Sequence, residues 1–247
     1  MTVATIRQPG PALNVYAGRR SAYLSADIDA AGACRYDARD GELRAADATL
    51  DLDSMKHAVR PGLHRWTRLE YERLIDHDFL REDDPIELLD GLLLVKEPQH
   101  SRHRTAVLLV AKALERAFGE GWFVQTQSPI ILDDRSEPEP DVCVVQGVPR
   151  DYVDAHPTRP ALVVEIADSS LRLARGRKAA AYARARIADY WIVNLSDRVL
   201  ETHREPARPG PARRHWGYAA TATHGADAAI APLAAPSTRI PVTDLLP

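Results

Sequence analysis

Leu162-Val163-Val164-Glu165-Ile166 and, further on, Tyr190-Trp191-Ile192-Val193-Asn194 decide the fold of this chain. Both runs are short and almost wholly apolar, the pattern of strands covered on both faces of a sheet. Strands are predicted over residues 161–167 and 190–194. Between them the sequence turns helical over about 172–187, including Lys178-Ala179-Ala180-Ala181-Tyr182-Ala183. Parallel neighbours need a long crossover, most often a helix, so these two strands are expected to run parallel. Glu165 is the residue out of place. An ionised carboxylate in such a strand is costly unless it is paired or metal-bound.

The pattern extends in both directions. Upstream, Pro138-Glu139-Pro140-Asp141 leads into Val142-Cys143-Val144-Val145, giving a strand over 141–146, with another expected over 122–132. From Ser101 to Phe118, Ala106, Leu109, Val110, Ala113, Leu114 and Ala117 recur at helical spacing, and Gly119 and Gly121 stop the helix. Ile86 to Val95 is apolar around Asp90-Gly91, a hairpin signal because a type I′ turn needs positive φ at both central residues. Thr67-Arg68-Leu69-Glu70 is a capping box, with Trp66 and Tyr71 placed for a hydrophobic staple. Its helix is expected to reach Phe79 or Leu80. Downstream, a turn at Ser196-Asp197 leads to a strand near Val199 to His203, and a Pro- and Arg-rich tail follows from 204 with short strand-like pieces. The predicted class is α/β, a central mixed sheet with helices on both faces, over residues 61–247. Residues 1–60, rich in Ala, Asp, Arg and Gly, read as a partly ordered N-terminal extension with a turn at Asp40-Gly41.

With 247 residues the chain can bury a substantial core. Its formal charge of −3 lacks the basic signature of many nucleic-acid binders, so any such contact must come from local clusters. Cys34 and Cys143 are far apart and without metal-ligand spacing, which reads as two reduced thiols. The N-terminus has neither the charged start nor the apolar core of a signal peptide, and no apolar run approaches transmembrane length. A cytoplasmic location is expected. A Gly-rich phosphate loop, zinc spacing, a nucleophile elbow, a helix-turn-helix and internal repeats are all missing, which sets aside the chemistries built on them.

Asp141 and Glu165 both flank apolar strands that are expected neighbours in the sheet. One such acid is most simply a strand-end residue in water or beside an arginine. Two, with Pro138 and Pro140 stiffening the approach to Asp141, point to a cation. Mg²⁺ takes one or two carboxylates and completes its shell with water and substrate phosphate, so Mg²⁺ is the expected cofactor, with Mn²⁺ able to substitute. Lys178 ends Arg172-Leu173-Ala174-Arg175-Gly176-Arg177-Lys178, and no acid occurs between Ser169 and Ala188. Exposed helices usually mix signs; a one-signed helix suits a phosphate backbone. Arg172, Arg175, Arg177 and Arg184 are therefore candidate nucleic-acid contacts. The alanines beside Lys178 allow close packing on the sheet, which would bring the ammonium toward Glu165. Two acids and a lysine fit phosphodiester hydrolysis. From alternation alone, Glu87 between Ile86 and Leu88 reads as solvent-facing. His100 and His103, flanking a helix start, are a weak metal signal and stay unassigned.

At these residues the chain resembles the Uma-type restriction-endonuclease-like proteins of the PD-(D/E)XK phosphodiesterase superfamily. The matching segments are Ile86 to Gly91, Ser101-Arg102-His103, Ser136 to Asp141, Val163 to Ser170, Arg175 to Lys178, Tyr182-Ala183 and Asp189 to Val193, in family order over roughly residues 64–205. Ile240 to Leu246 gives a weaker echo. The resemblance implies a mixed sheet between helices, with Pro140-Asp141 as the family's PD pair and Glu165 as the second acid. The lysine expected two residues after Glu165 is replaced by Ala167; family members carry it on the following helix, which matches Lys178. By the same match Glu87 becomes a third acid and His103 an accessory candidate. One departure is Ala174, where an acid often stands before Arg175.

The function implied is a Mg²⁺-dependent endonuclease, acting on DNA in preference to RNA. Asp141 and Glu165 are the expected metal ligands, aided by the Ile166 carbonyl, with Lys178 positioning the water and Glu87 assisting. A homodimer would suit cutting both strands. The alternative is a binding or regulatory protein on the same fold with little turnover, favoured by the net charge and by Ala174.

Overall fold

The computed structural model describes residues 63–81, 83–96, 100–210 and 215–247. The chain divides into two units, Met1–His64 and Arg65–Pro247, and the sheet and its helices belong to the second. The expected extension over 1–60, with its Asp40-Gly41 turn and Cys34, lies outside the described residues.

The first helix, α1 (Arg68–Asp76), begins with the expected capping box: the Thr67 amide donates to the Glu70 carboxylate at 2.8 Å and the Glu70 amide to Thr67 Oγ1 at 3.3 Å. It ends short of Phe79. Asp78 takes a left-handed φ of 58°, and the amides of Phe79 and Leu80 turn back to the Leu74 carbonyl. Strands β1 (Ile86–Leu89) and β2 (Leu92–Val95) form the predicted hairpin, with φ of 53° at Asp90 and 71° at Gly91. Gly91 is required for space as well, since a Cβ there would lie 3.0 Å from Arg65 Cβ. Helix α2 (Ser101–Phe118) has the predicted bounds.

The rest builds the sheet. Its strands are β3 (Trp122–Thr126), β4 (Val142–Gln146), β5 (Leu162–Ala167), β6 (Asp189–Asn194), β7 (Val199–Ala207) and β8 (Gly217–His224), and they lie side by side in that order. Only β5 and β6 are parallel, as the crossover predicts. Their connection holds α3 (Leu171–Leu173), a π-helical turn (Ala174–Lys178) and α4 (Ala179–Arg184). The tail adds β9 (Ala229–Ile230), paired with β10 (Ile240–Pro241), and a closing 3₁₀ turn.

Alternation along the strands makes two cores. Val142, Val144, Val164, Ile166 and Trp191 face α2, packing on Ala106, Val110 and Leu114. Cys143, Val145, Val163, Tyr190 and Ile192 face α4, packing on Ala179, Tyr182 and Ala183. Helices therefore cover both faces.

Three further predicted bounds are corrected. The strand expected over 122–132 ends at Thr126, because Gln127 has a φ of 49° and Pro129 lacks an amide for the ladder; Ile130 is instead a fully buried anchor of the following loop. The helix expected over 172–187 starts at Leu171 and stops at Arg184, with Arg186 at a φ of 63°. Strand β7 runs past His203 to Ala207, held by the ladder to β8. Among the described residues no helix is long and apolar enough to cross a membrane.

Candidate active site

Strands β4 and β5 pair Val142 with Val164, so one further step in register sets Asp141 opposite Glu165 at the strand ends. Directly opposed residues share a sheet face and lie close. Asp141 Oδ2 accepts the Ile166 amide at 2.8 Å, and His103 Nε2, from α2, stands 3.3 Å from the same oxygen. The acid is thereby fixed in direction.

Glu165 is only 6% exposed. Lys178 Nζ donates to both of its oxygens, at 3.0 and 3.1 Å, and the Tyr182 hydroxyl donates to Oε1 at 2.6 Å. The same ammonium lies 3.1 Å from Glu87 Oε1. Lys178 reaches this position from the end of the π-helical turn, a distortion that re-aims side chains and is frequent at functional sites. Buried Ala179, Ala181 and Ala183 let the helix lie close on the sheet.

Glu87 is 1% exposed, so the alternation-only expectation of a solvent-facing residue is corrected. The segment 136–139 crosses β1, with the Glu137 amide donating to the Leu88 carbonyl and the Glu139 amide to Glu87 Oε2 at 3.0 Å. That contact is non-local, and alternation within β1 carries no trace of it.

Charge and burial compete here. Burial pushes the Glu165 carboxyl up to about 7, against the pull of Lys178, with Asp141 and Glu87 adding to the rise. For Lys178 burial disfavours the ammonium, but Glu165, Glu87 and Asp141 outweigh it and hold the group charged. The Tyr182 phenol is pushed well up by burial and by Glu165, so it remains a donor. His103 is raised by its bond to Asp141, against burial, with the Asp141 charge and the Ile166 backbone adding to the rise.

The donor set fits a hard cation. Asp141, one residue before the Val142–Val164 pair, and Glu165, one residue after it, bring two carboxylates, both oxygen donors, to neighbouring strands. Among the described residues no group of three or more His, Cys, Asp and Glu is arranged to hold a metal. Mg²⁺ draws most of its ligands from water and substrate, so two carboxylates are donors enough for it.

The four arginines separate into two kinds. Arg175 is bidentate to Glu201 at 2.8 and 2.6 Å, and Arg184 bridges Asp90 and Asp133 at 2.7 and 2.9 Å with Ser136 Oγ at 3.3 Å. Both are engaged by carboxylates of the chain itself. Arg172 and Arg177 are exposed and form no ion pair among the described residues. His100 caps α2 without a side-chain bond. Ala174 is buried, and its carbonyl accepts the Tyr190 hydroxyl at 3.0 Å. Tyr182, one turn after Lys178 and in a family-matching segment, is expected to face Glu165 but with no role assigned, and its hydroxyl bond to Glu165 supplies one.

Comparison with known proteins bears on the family and the fold. The family profile Uma2, described as "Putative restriction endonuclease", matches residues 69–242, well over half the chain. A crystal structure of "a putative nuclease belonging to DUF820" from Anabaena variabilis superposes with a TM-score of 0.55 at 15% identity, covering 70% of this chain and 96% of that one. At that identity it shows the shared fold. No curated protein matches. With its profile spanning the hairpin, both acids and the lysine, the chain belongs to the Uma2 family.

Proposed function

We propose that this protein is a divalent-cation-dependent endonuclease that hydrolyses phosphodiester bonds of nucleic acid, DNA in preference to RNA. The observation that carries the reading is the Lys178 ammonium, held 3.0 Å from Glu165 beside the Asp141–Glu165 pair. The family's description as restriction endonuclease supports the reaction class.

Asp141, Glu165 and the Ile166 carbonyl would hold Mg²⁺, for which Mn²⁺ could substitute. Once bound, the cation would supply Lewis acidity toward the phosphoryl group and lower the pKa of the attacking water. Lys178 places that water and offsets negative charge growing on the phosphoryl oxygens. Glu87 and Tyr182 are positioning residues, fixing Lys178 and Glu165 respectively. His103 orients Asp141. Arg172 and Arg177 contact the phosphate backbone, and a two-fold dimer would present two such sites to a duplex.

The test is nicking of supercoiled plasmid with Mg²⁺, against EDTA and Lys178→Ala controls. Nicking that needs Mg²⁺ and is lost in the variant is expected. Equal nicking in EDTA or by Lys178→Ala would overturn the reading. A nucleic-acid-binding or regulatory protein is the second reading, favoured because Lys178 and His103 already partner the two acids. Binding without any metal-dependent nicking would select it.

A further inference from the structure

Trp216 stands just before β8 and packs against the α4-face core. The guanidinium carbon of Arg186 lies 5.0 Å from its ring centroid, and that of Arg208 lies 5.8 Å away. Arg186 Nη1 donates weakly to the Pro206 carbonyl at 3.4 Å. Both arginines are exposed, and neither forms an ion pair among the described residues. This separates them from Arg175, Arg184 and Arg204, each held by a carboxylate. The cation–π contacts give these two side chains direction without consuming their charge.

We propose that Arg186, Arg208 and Trp216 form a clamp for the phosphate backbone of the nucleic acid flanking the cleavage site. The proposal rests on the nuclease reading and says where the substrate strand is held. Glu165 is level with Ile192 and Glu201 in the sheet, whereas Trp216 precedes the Gly217–Ala207 pair six residues further along β7, so about 20 Å of strand separates the clamp from the acids. Duplex DNA presents a phosphate about every 3.4 Å along each strand, so the clamp meets a backbone roughly six steps or more from the reacting phosphate. Two planar forks, pre-ordered on an indole anchored in the core, match bidentate phosphate recognition. An indole serving only to fill space would need neither exposed cation.

The test is fluorescence anisotropy with a short labelled duplex in EDTA, which prevents turnover, measured across a salt series. Each lost phosphate contact reduces the slope of log K against log salt by about 0.9. Arg186→Ala/Arg208→Ala should therefore flatten the slope by roughly 1.8 and weaken binding at low salt. Arg208→Gln alone, at an exposed position, should lose about half of that, and Arg208→Lys should restore most of it. Trp216→Leu should weaken binding with a smaller change in slope, since the charges remain. A folded Arg208→Gln protein with the wild-type slope would overturn the clamp while leaving the nuclease reading intact. A wild-type protein that binds no duplex would overturn both.

Discussion

Lys178 Nζ lies 3.1 Å from Glu87 Oε1 and 3.0 Å from Glu165 Oε1, so one buried ammonium is shared by two buried carboxylates. With Asp141 opposite Glu165, acids outnumber cations at this spot even with His103 protonated. With His103 neutral the excess is two charges, which the proposed divalent cation would offset. This is the electrostatic reason for placing one between Asp141 and Glu165, independent of any motif.

The first prediction concerns that balance. Mn²⁺ should raise the Tm of the wild-type protein, because a ligand that binds only the folded state stabilises it by mass action. Asp141→Asn and Glu165→Gln should each abolish the shift while leaving the metal-free protein folded. Scanning fluorimetry with and without MnCl₂ measures it, and an undiminished shift in both variants would count against the assignment.

Arg184 gives the second. It ties the hairpin turn at Asp90 to the loop at Asp133 and Ser136, 94 and 51 residues away from the two acids in sequence. Arg184→Ala should cost about 1–2 kcal/mol of stability, allowing for its partial exposure. It should leave the salt dependence of nucleic-acid binding unchanged. Denaturant unfolding and anisotropy together separate this role from the phosphate contact that the sequence alone implied.

The third concerns pH. Glu137 is 4% exposed, and its Oε2 has no hydrogen-bond partner. Burial, then the charge of Glu72, pushes its carboxyl from 4.5 up to about 7 against the pull of Arg68, with Glu139 adding to the rise. Between these two values the folded state holds a proton that the unfolded state has released, so stability falls as pH rises through this window and levels off above it. Glu137→Gln removes that term and should be more stable than wild type near pH 8 by on the order of 2 kcal/mol. Near pH 4 the two should be alike. Urea unfolding at both pH values checks it; a variant that tracks wild type throughout would contradict this role for Glu137.

What could be read from sequence was whatever local pattern determines. The parallel β5–β6 pair, the Asp90-Gly91 hairpin, the Thr67–Glu70 capping box and α2 all follow from periodicity and turn chemistry within one segment. Asp141 and Glu165 could be singled out because charge is out of place beside buried apolar runs, and Lys178 because it ends a one-signed basic run on the next helix and matches the family pattern. What escaped depends on partners far away in the chain. Glu87 is buried because residues 136–139 cross it, and Arg175 and Arg184 are neutralised by Glu201, Asp90 and Asp133. Strand β8, an alternation of Ala and Thr, has too little hydrophobic contrast to announce itself. The π-helical turn that aims Lys178 leaves no periodic mark of its own.

The most direct test of the account is single-turnover cleavage by Lys178→Ala and Lys178→Arg, with Mn²⁺ calorimetry on the same preparations. Loss of one preorganised donor to a developing charge typically lowers the rate by about 10²–10³-fold. A loss of that order is expected in the alanine variant and nearly as much in the arginine variant, whose planar fork does not replace a compact ammonium. Mn²⁺ binding should survive in both, since Asp141 and Glu165 remain. Full cleavage by Lys178→Ala, with the protein folded and metal-loaded, would contradict the account.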